Sequence, residues 1–317
     1  MPAAAVKAWA LESLNAMLLQ LTHETRYKYT PAVENADHVL HLSPPSNAAQ
    51  TVLEHRLDIS PQPTHLREAQ DVYGNRCTFF SLQGSHEHLD VTAHTTLRTH
   101  APFEAAPCQL GWERVREMFR YRAGTPYNSA WEFLFASPYV PRDAAFAEFA
   151  GPCFAPGMPL LDATASLMTH IHQTMAYDTE STDVNTPALT ALRQGKGVCQ
   201  DFAHIMVACC RAMGLPARYV SGYLLTQPAP GQPRLIGCDA SHAWASVYCP
   251  GDDNEAGQWF DFDPTNNRAP GEDYVTLATG RDFLDVSPLR GVIRGGAQHA
   301  LRVAVTVMPL DASPDMV

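Results

Sequence analysis

A cysteine, a histidine and an aspartate stand in that order at positions 199, 242 and 263, separated by 43 and 21 residues. Such a set can supply a nucleophile, a general base and a carboxylate that orients the base. The cysteine lies in Gly195-Lys-Gly-Val-Cys199-Gln-Asp-Phe-Ala-His204, a glycine-loosened loop that feeds a helix ending at Gly214, with Pro216 beyond. Glycine tolerates the left-handed cap and proline cannot continue the ladder, so the stop has a physical cause. Phe202, Ile205, Met206, Cys209 and Met213 recur at three- and four-residue spacing, which buries one face and anchors this helix. Cys199 then occupies the N-terminus, where unpaired N–H groups and the dipole favour a thiolate and could hold a developing oxyanion. Asp201 is turned about 200° around the axis from Cys199 and is expected to face elsewhere. Cys209 and Cys210, in mid-helix, read as small buried hydrophobes.

In Cys238-Asp-Ala-Ser-His242-Ala-Trp-Ala-Ser-Val-Tyr-Cys249, the residues His242, Trp244, Ser246 and Tyr248 fall on one face of a strand. A turn-rich stretch from Pro250 to Gly257 follows, and then Trp259-Phe-Asp-Phe-Asp263-Pro-Thr, which alternates in the same way. The two runs read as a hairpin. Pairing His242 with Asp263 also pairs Tyr248 with Gly257, at the mouth of the turn. Opposed side chains lie about 4.5–5.5 Å apart at Cβ, close enough for a carboxylate to take the far ring N–H of an imidazole. Asp261 shares that face, and spacing alone does not choose between the two carboxylates.

A structural zinc site is the competing reading, since Cys199, His204, Cys238 and His242 form two Cys/His pairs. His204 lies five helical steps from Cys199, about 140° around the axis, so the two do not converge on one ion. His86-Glu-His88 and His170-Ile-His172 read as solvated histidines. No metal site and no cofactor are expected.

The elements that position these residues fall into three regions. Residues 1–105 carry short alternating runs: Leu21–Tyr27, Val39–Leu42, Thr51–Ser60, Thr78–Leu82 and Leu89–Leu97. Pro44-Pro45, Pro61–Pro63 and Gly74-Asn75 punctuate them, which predicts an antiparallel β-sandwich or barrel. Met1–Gln20 reads as a short helical extension of that region rather than a signal peptide. Residues 106–158 form a helical connector with a stripe at Trp112, Val115, Met118 and Phe119. Residues 159–317 carry the chemistry, behind a helix with apolar positions Leu160, Ala163, Leu167, Ile171 and Met175, and end on a strand at Leu301, Val303, Val305 and Val307.

Composition narrows the function. Of 317 residues, 45% are hydrophobic and 17% charged, enough apolar material for more than one core. A formal net charge of −11 with no Lys/Arg cluster argues against nucleic acid, which needs a basic face. Nowhere do about 18 apolar residues run together, so no membrane partner is expected. Eight scattered cysteines without secretory context predict reduced thiols and a cytoplasmic location.

Gly197-Val-Cys199-Gln-Asp-Phe-Ala-His204, Asp239-Ala-Ser-His242-Ala-Trp244 and Phe262-Asp-Pro-Thr-Asn266 together resemble the transglutaminase-like superfamily of papain-type thiol enzymes. His23–Tyr29, Leu42-Ser-Pro-Pro45 and Asp71-Val-Tyr-Gly-Asn75 are similar to the β-rich domain that precedes this core in bacterial members. The resemblance implies an α+β chain whose papain-like core has a central helix packed on an antiparallel sheet. It also implies a Cys199-His242-Asp263 triad, Asp263 being preferred over Asp261 because it heads the Asp-Pro-Thr motif. The expected activity is hydrolysis of a peptide, protein or small amide through a thioester. Acyl transfer to an amine and a catalytically silent binding module are the alternatives. The Cys199 N–H is the expected oxyanion donor, with Gln194 or Tyr177 as candidates for the second. Oligomeric state is not legible.

Overall fold

The computed structural model describes residues 16–100, 108–125, 127–226, 241–251 and 257–310. Four strands come first: β1 (Leu18–Ser43), β2 (Gln50–Ser60), β3 (His65–Gln70) and β4 (Arg76–Thr99). β1 and β4 run antiparallel along almost their whole length, each spanning what the sequence suggests as two separate strands. Register shifts between Lys28 and Asn35, with Gly84 at φ +105° on the partner strand, absorb the polar interruptions as bulges. The strands therefore bend where the pattern breaks, instead of ending. β2 pairs with one half of β4 and β3 with the other. Of the expected helical extension, residues 1–15 lie outside the described residues, and Leu18–Gln20 already belong to β1.

The middle of the chain holds α1 (Trp112–Met118), α2 (Ala144–Ala150) and α3 (Leu160–Thr174), with two short 3₁₀ turns between α1 and α3. The two-residue strands β5 (Ala176–Tyr177) and β6 (Lys196–Gly197) pair in parallel on either side of α4 (Ala188–Gln194). α5 (Cys199–Ala212) then lies against β7 (Ala217–Leu224) and β8 (Ser241–Cys249). With β9 (Gln258–Phe262) and β10 (Tyr274–Gly280) these strands form a four-stranded antiparallel sheet in the order β10-β7-β8-β9. The apolar stripe of α3 is buried together with Phe202, Ile205, Met206 and Cys209 of α5 in one cluster, so the helix bearing Cys199 is enclosed rather than exposed.

After the short helix α6 (Phe283–Val286), β11 (Leu289–Gly295) and β12 (Gln298–Pro309) leave the core and join the N-terminal sheet. β12 pairs with Leu19–Thr30 and β11 with Val33–Leu40 of β1. The closing strand at Leu301–Val307 thus completes the first sheet rather than the second. Both halves of that bent sheet, with Tyr223, Leu225, Val275 and Leu277 of the core, bury one apolar cluster. Two side-chain amides fasten the junction. Gln50 exchanges two hydrogen bonds of 2.8 Å with the backbone of Thr276, and Asn75 does the same with Thr279. Each amide copies a neighbouring strand along β10.

The expectation that all cysteines are reduced is overturned at one pair. Cys108 and Cys249 are joined by a disulfide, with Cα atoms 6.3 Å apart, because β8 ends against the stretch leading into α1. Cys77, Cys153, Cys199, Cys209 and Cys210 are free, while Cys238 lies outside the described residues. No helix among the described residues is long and apolar enough to cross a membrane.

Candidate active site

Cys199 opens α5, as its sequence pattern predicts. Val198, the residue before it, is extended, and its N–H donates to Oδ2 of Asp201 at 2.8 Å. That carboxylate also accepts from Thr182 Oγ1 at 2.6 Å and lies against Gly197, where any Cβ would overlap it. Asp201 therefore secures the loop that delivers Cys199, and burial raises its pKa. The sulfur lies 3.9 Å from the Ser241 carbonyl and packs with Ala203, Tyr219 and Ala243.

His242 sits on β8, directly opposite Gly222 of β7. Its Nε2 donates to Asp263 Oδ2 at 2.6 Å, and its ring is hydrogen-bonded to Cys199. With Nε2 engaged by the carboxylate, Nδ1 is the nitrogen left to face the sulfur. Cys199, His242 and Asp263 are thus brought together in line. Burial works against a charged ring, but hydrogen bonds and charge from Asp263 and Cys199 outweigh it and raise the His242 pKa to about 9.

Asp263 reaches His242 by a route that differs from the expected register. Tyr248 faces Trp259, Ser246 faces Asp261, and β9 stops at Phe262. The pairing is offset by two residues from a His242–Asp263 opposition, an even slip that leaves every side chain on its expected face. The strand ends because Asp263 begins a turn: its Oδ1 accepts the N–H groups of Thr265 and Asn266 at 2.9 and 3.2 Å. Its Oδ2 accepts from Tyr274 Oη at 2.6 Å and Asn266 Nδ2 at 2.7 Å besides the imidazole. Fully buried, the carboxyl would be pushed upward, yet these donors and the imidazolium lower its pKa. Asp261 stands four residues along the sheet, opposite Ser246, and its charge acts on Arg218 instead.

Several supporting residues escape the sequence reading. Asn266 was visible as the last letter of its motif, but its grip on Asp263 was not. Tyr274 comes from the far edge strand, and Arg268 lies over its ring at 4.5 Å. Trp244, completely buried, meets Tyr274 edge-on at 5.4 Å and tilts against His242 at 6.1 Å. α3 braces the same turn, with His172 Nδ1 3.0 Å from the Thr265 carbonyl and Thr169 Oγ1 donating to Asn267 Oδ1 at 2.9 Å.

Of the proposed oxyanion partners, Tyr177 is exposed on β5 beside Gly197, and Gln194 is exposed at the end of α4. Of the zinc alternative, Cys238 lies outside the described residues and His204 is engaged elsewhere. His204 is wholly buried, its Nε2 accepting the Phe283 N–H at 3.1 Å, and its ring lies against Tyr139 and Tyr219. Cys209 and Cys210 are fully buried, and burial raises both thiol pKa values. His86 corrects the solvated reading: it is 7% exposed, held by the Gly84 carbonyl at 2.9 Å and set edge-on to Tyr29.

Residues 147–264 match the pattern of the transglutaminase-like superfamily, and residues 19–98 match the bacterial transglutaminase-like N-terminal region. An uncharacterized protein of Mycobacterium tuberculosis is 36% identical over 298 residues, covering 92% of this chain and 93% of that one. One of Mycobacterium leprae is 30% identical over 295 residues, covering 92% and 99%. The crystal structure of a candidate cysteine protease from Cytophaga hutchinsonii superposes with a TM-score of 0.71 at 21% identity, over 94% of this chain and 92% of that one. That likeness concerns the fold. The two family patterns, the near full-length relatives and the shared architecture agree, and the chain belongs to the transglutaminase-like superfamily.

Proposed function

We propose that this protein is a cysteine-dependent hydrolase of peptide or small-molecule amides, with Cys199 as nucleophile, His242 as general base and acid, and Asp263 as the group that orients His242. The observation that carries this reading is the continuous relay from the Cys199 thiol through the His242 ring to a carboxylate held at 2.6 Å. At neutral pH His242, whose pKa is raised to about 9, holds a proton and faces the sulfur. The sulfur attacks the amide carbonyl carbon, and the Cys199 N–H at the helix start receives the oxyanion. As the tetrahedral adduct collapses, the C–N bond breaks and the imidazolium gives its proton to the departing amine. Neutral His242 then deprotonates water, which attacks the thioester and frees the acid, and the proton returns the pair to its resting state.

A primary amine can replace water in the second half, so acyl transfer shares every step up to the thioester. Hydrolysis is preferred because water needs no dedicated acceptor subsite. Two apolar side chains are left 57% exposed next to residues that flank Cys199 in sequence: Tyr177, paired with Gly197, and Val184, whose carbonyl accepts from Gln200 Nε2 at 3.0 Å. Exposed apolar groups at these positions favour the side chains of an extended acyl donor over a bare small amide.

The test is intact-mass spectrometry of protein mixed with a peptide library and with activated amides, in the presence and absence of a primary amine. Expected are an acyl adduct on Cys199, its decay to free acid, and a loss of at least about 10³-fold in turnover on Cys199→Ala. Turnover surviving that substitution would refute the nucleophile. Products that are amine conjugates with no free acid would establish transfer instead.

A further inference from the structure

Away from Cys199, three metal-ligating side chains converge where the N-terminal sheet meets the core. His41 near the end of β1, Asp71 in the turn between β3 and β4, and Cys77 at the start of β4 each offer one donor atom, and all three atoms lie within 4.8 Å of one another. His41 and Cys77 are 3% and 2% exposed, so this is not a chance gathering of solvated groups. We propose that His41, Asp71 and Cys77 bind one divalent ion of the zinc class.

The outer contacts are those a metal site needs. His41 Nδ1 lies 3.2 Å from the Ser287 carbonyl oxygen, to which it can only donate. The Nε2 lone pair is then left facing Asp71 Oδ2 at 3.6 Å. Two lone pairs at that distance repel unless a proton or a metal ion lies between them, and a backbone carbonyl on the far ring nitrogen is how metal-bound imidazoles are oriented. The carboxylate is fixed as firmly. Its Oδ1 accepts the N–H groups of Tyr73 and Asn75 at 2.8 and 2.9 Å, and Asn75 Nδ2 donates to Oδ2 at 2.7 Å. The turn therefore holds Oδ2 towards the histidine while leaving it acceptor capacity.

One nitrogen, one oxygen and one sulfur suit zinc, cobalt or nickel and exclude calcium and magnesium, which take oxygen ligands. Donors bound at about 2.0–2.3 Å stand about 3.3–3.8 Å apart, so the present spacing needs a contraction of at most about 1.5 Å. The fourth ligand would be water or the Asn75 carbonyl, which Cys77 Sγ already approaches at 3.6 Å. A surface cavity of about 260 Å³, lined in part by Ser43, Gln70, Arg76, Cys77 and Thr78, supplies a way in. On binding, the Cys77 S–H proton passes to solvent and the sulfur takes the metal in its place. Such an ion would pin Asp71 and Asn75, and through Asn75 the edge of β10.

The experiment uses the full chain carrying Cys199→Ser, so that the active-site thiol cannot supply a sulfur ligand. After stripping with chelator, cobalt(II) is titrated in and followed by visible and near-ultraviolet absorption. Expected are one equivalent bound, tetrahedral d–d bands and a thiolate-to-cobalt charge-transfer band, all displaced by zinc. Cys77→Ser abolishes the charge-transfer band, His41→Gln weakens binding by at least about 10-fold, and Cys153→Ser changes neither. Zinc-edge X-ray absorption of the Cys199→Ser protein, which needs no further variant, should find one sulfur among nitrogen and oxygen neighbours. Less than stoichiometric metal, a shell without sulfur, or a charge-transfer band that survives Cys77→Ser would each overturn the assignment.

Discussion

Five hydrogen bonds converge on the two oxygens of Asp263, and its anionic form is what they hold. Asp263→Asn keeps the size but puts an amide where an acceptor is needed, so it should leave the fold intact and lower kcat/KM by about 10³–10⁴-fold, measured on whichever amide the Cys199 test identifies. Tyr274→Phe removes one donor to a buried charge and should destabilise the protein by about 1.5–3 kcal/mol in denaturant titrations. The pH behaviour follows from His242. Its folded pKa near 9 stands above the ordinary 6.5, so the folded state holds this proton more tightly than the unfolded chain. Its contribution, on the order of 3 kcal/mol, is complete below about pH 6.5 and is lost as pH rises towards 9. Asp263 runs the other way: its lowered pKa stabilises the fold above the usual carboxylate range, and that contribution disappears in acid. Melting curves from pH 6 to 10 should fall for the parent and flatten for His242→Gln, while activity should decline with an alkaline limb near 9 as the imidazolium is lost.

At the level of elements, what could be read from the chain depends on how local the cause is. α5 and β8 announce themselves by spacing within a dozen residues, and both deliver Cys199 and His242 as their patterns require. The two-residue slip between β8 and β9 was not legible, since it follows from where the turn begun by Asp263 ends the strand, and that turn is closed by Asn266. Tyr274 was hidden for a different reason: it reaches Asp263 only because the turn from Asp263 leads back to β10 on the opposite edge of the sheet. Likewise β1 and β4 look like pairs of strands until Gly84 and the register shifts are seen to carry pairing through the break. Gly222 tests this packing. It lies opposite His242, and a Cβ there would overlap the Trp244 ring and the Val275 carbonyl oxygen. Gly222→Ala should therefore cost at least about 1–3 kcal/mol and impair turnover by displacing His242, as read by thermal melts and kcat.

For the whole molecule, the two sheets are joined by contacts that no segment of sequence displays alone. Replacing Gln50 and Asn75 together with alanine removes four hydrogen bonds to β10 and leaves its backbone groups unpaired, which should cost about 2–6 kcal/mol and separate unfolding into two transitions in calorimetry. The Cys108–Cys249 bond closes a span of 141 residues between the connector and β8, a distance in sequence that hid the pairing. β12 has a wider reach still. It returns from the end of the described chain to lie beside Leu19–Thr30, the first strand made. A ribosome releasing this protein from its N-terminus would thus emit β1 nearly three hundred residues before its partner exists. During that interval one long edge has only β4 beside it, which makes the nascent chain a client for holding factors. Chains arrested before residue 289 should be cut by protease within residues 18–43, and released chains should become resistant there only after synthesis is over.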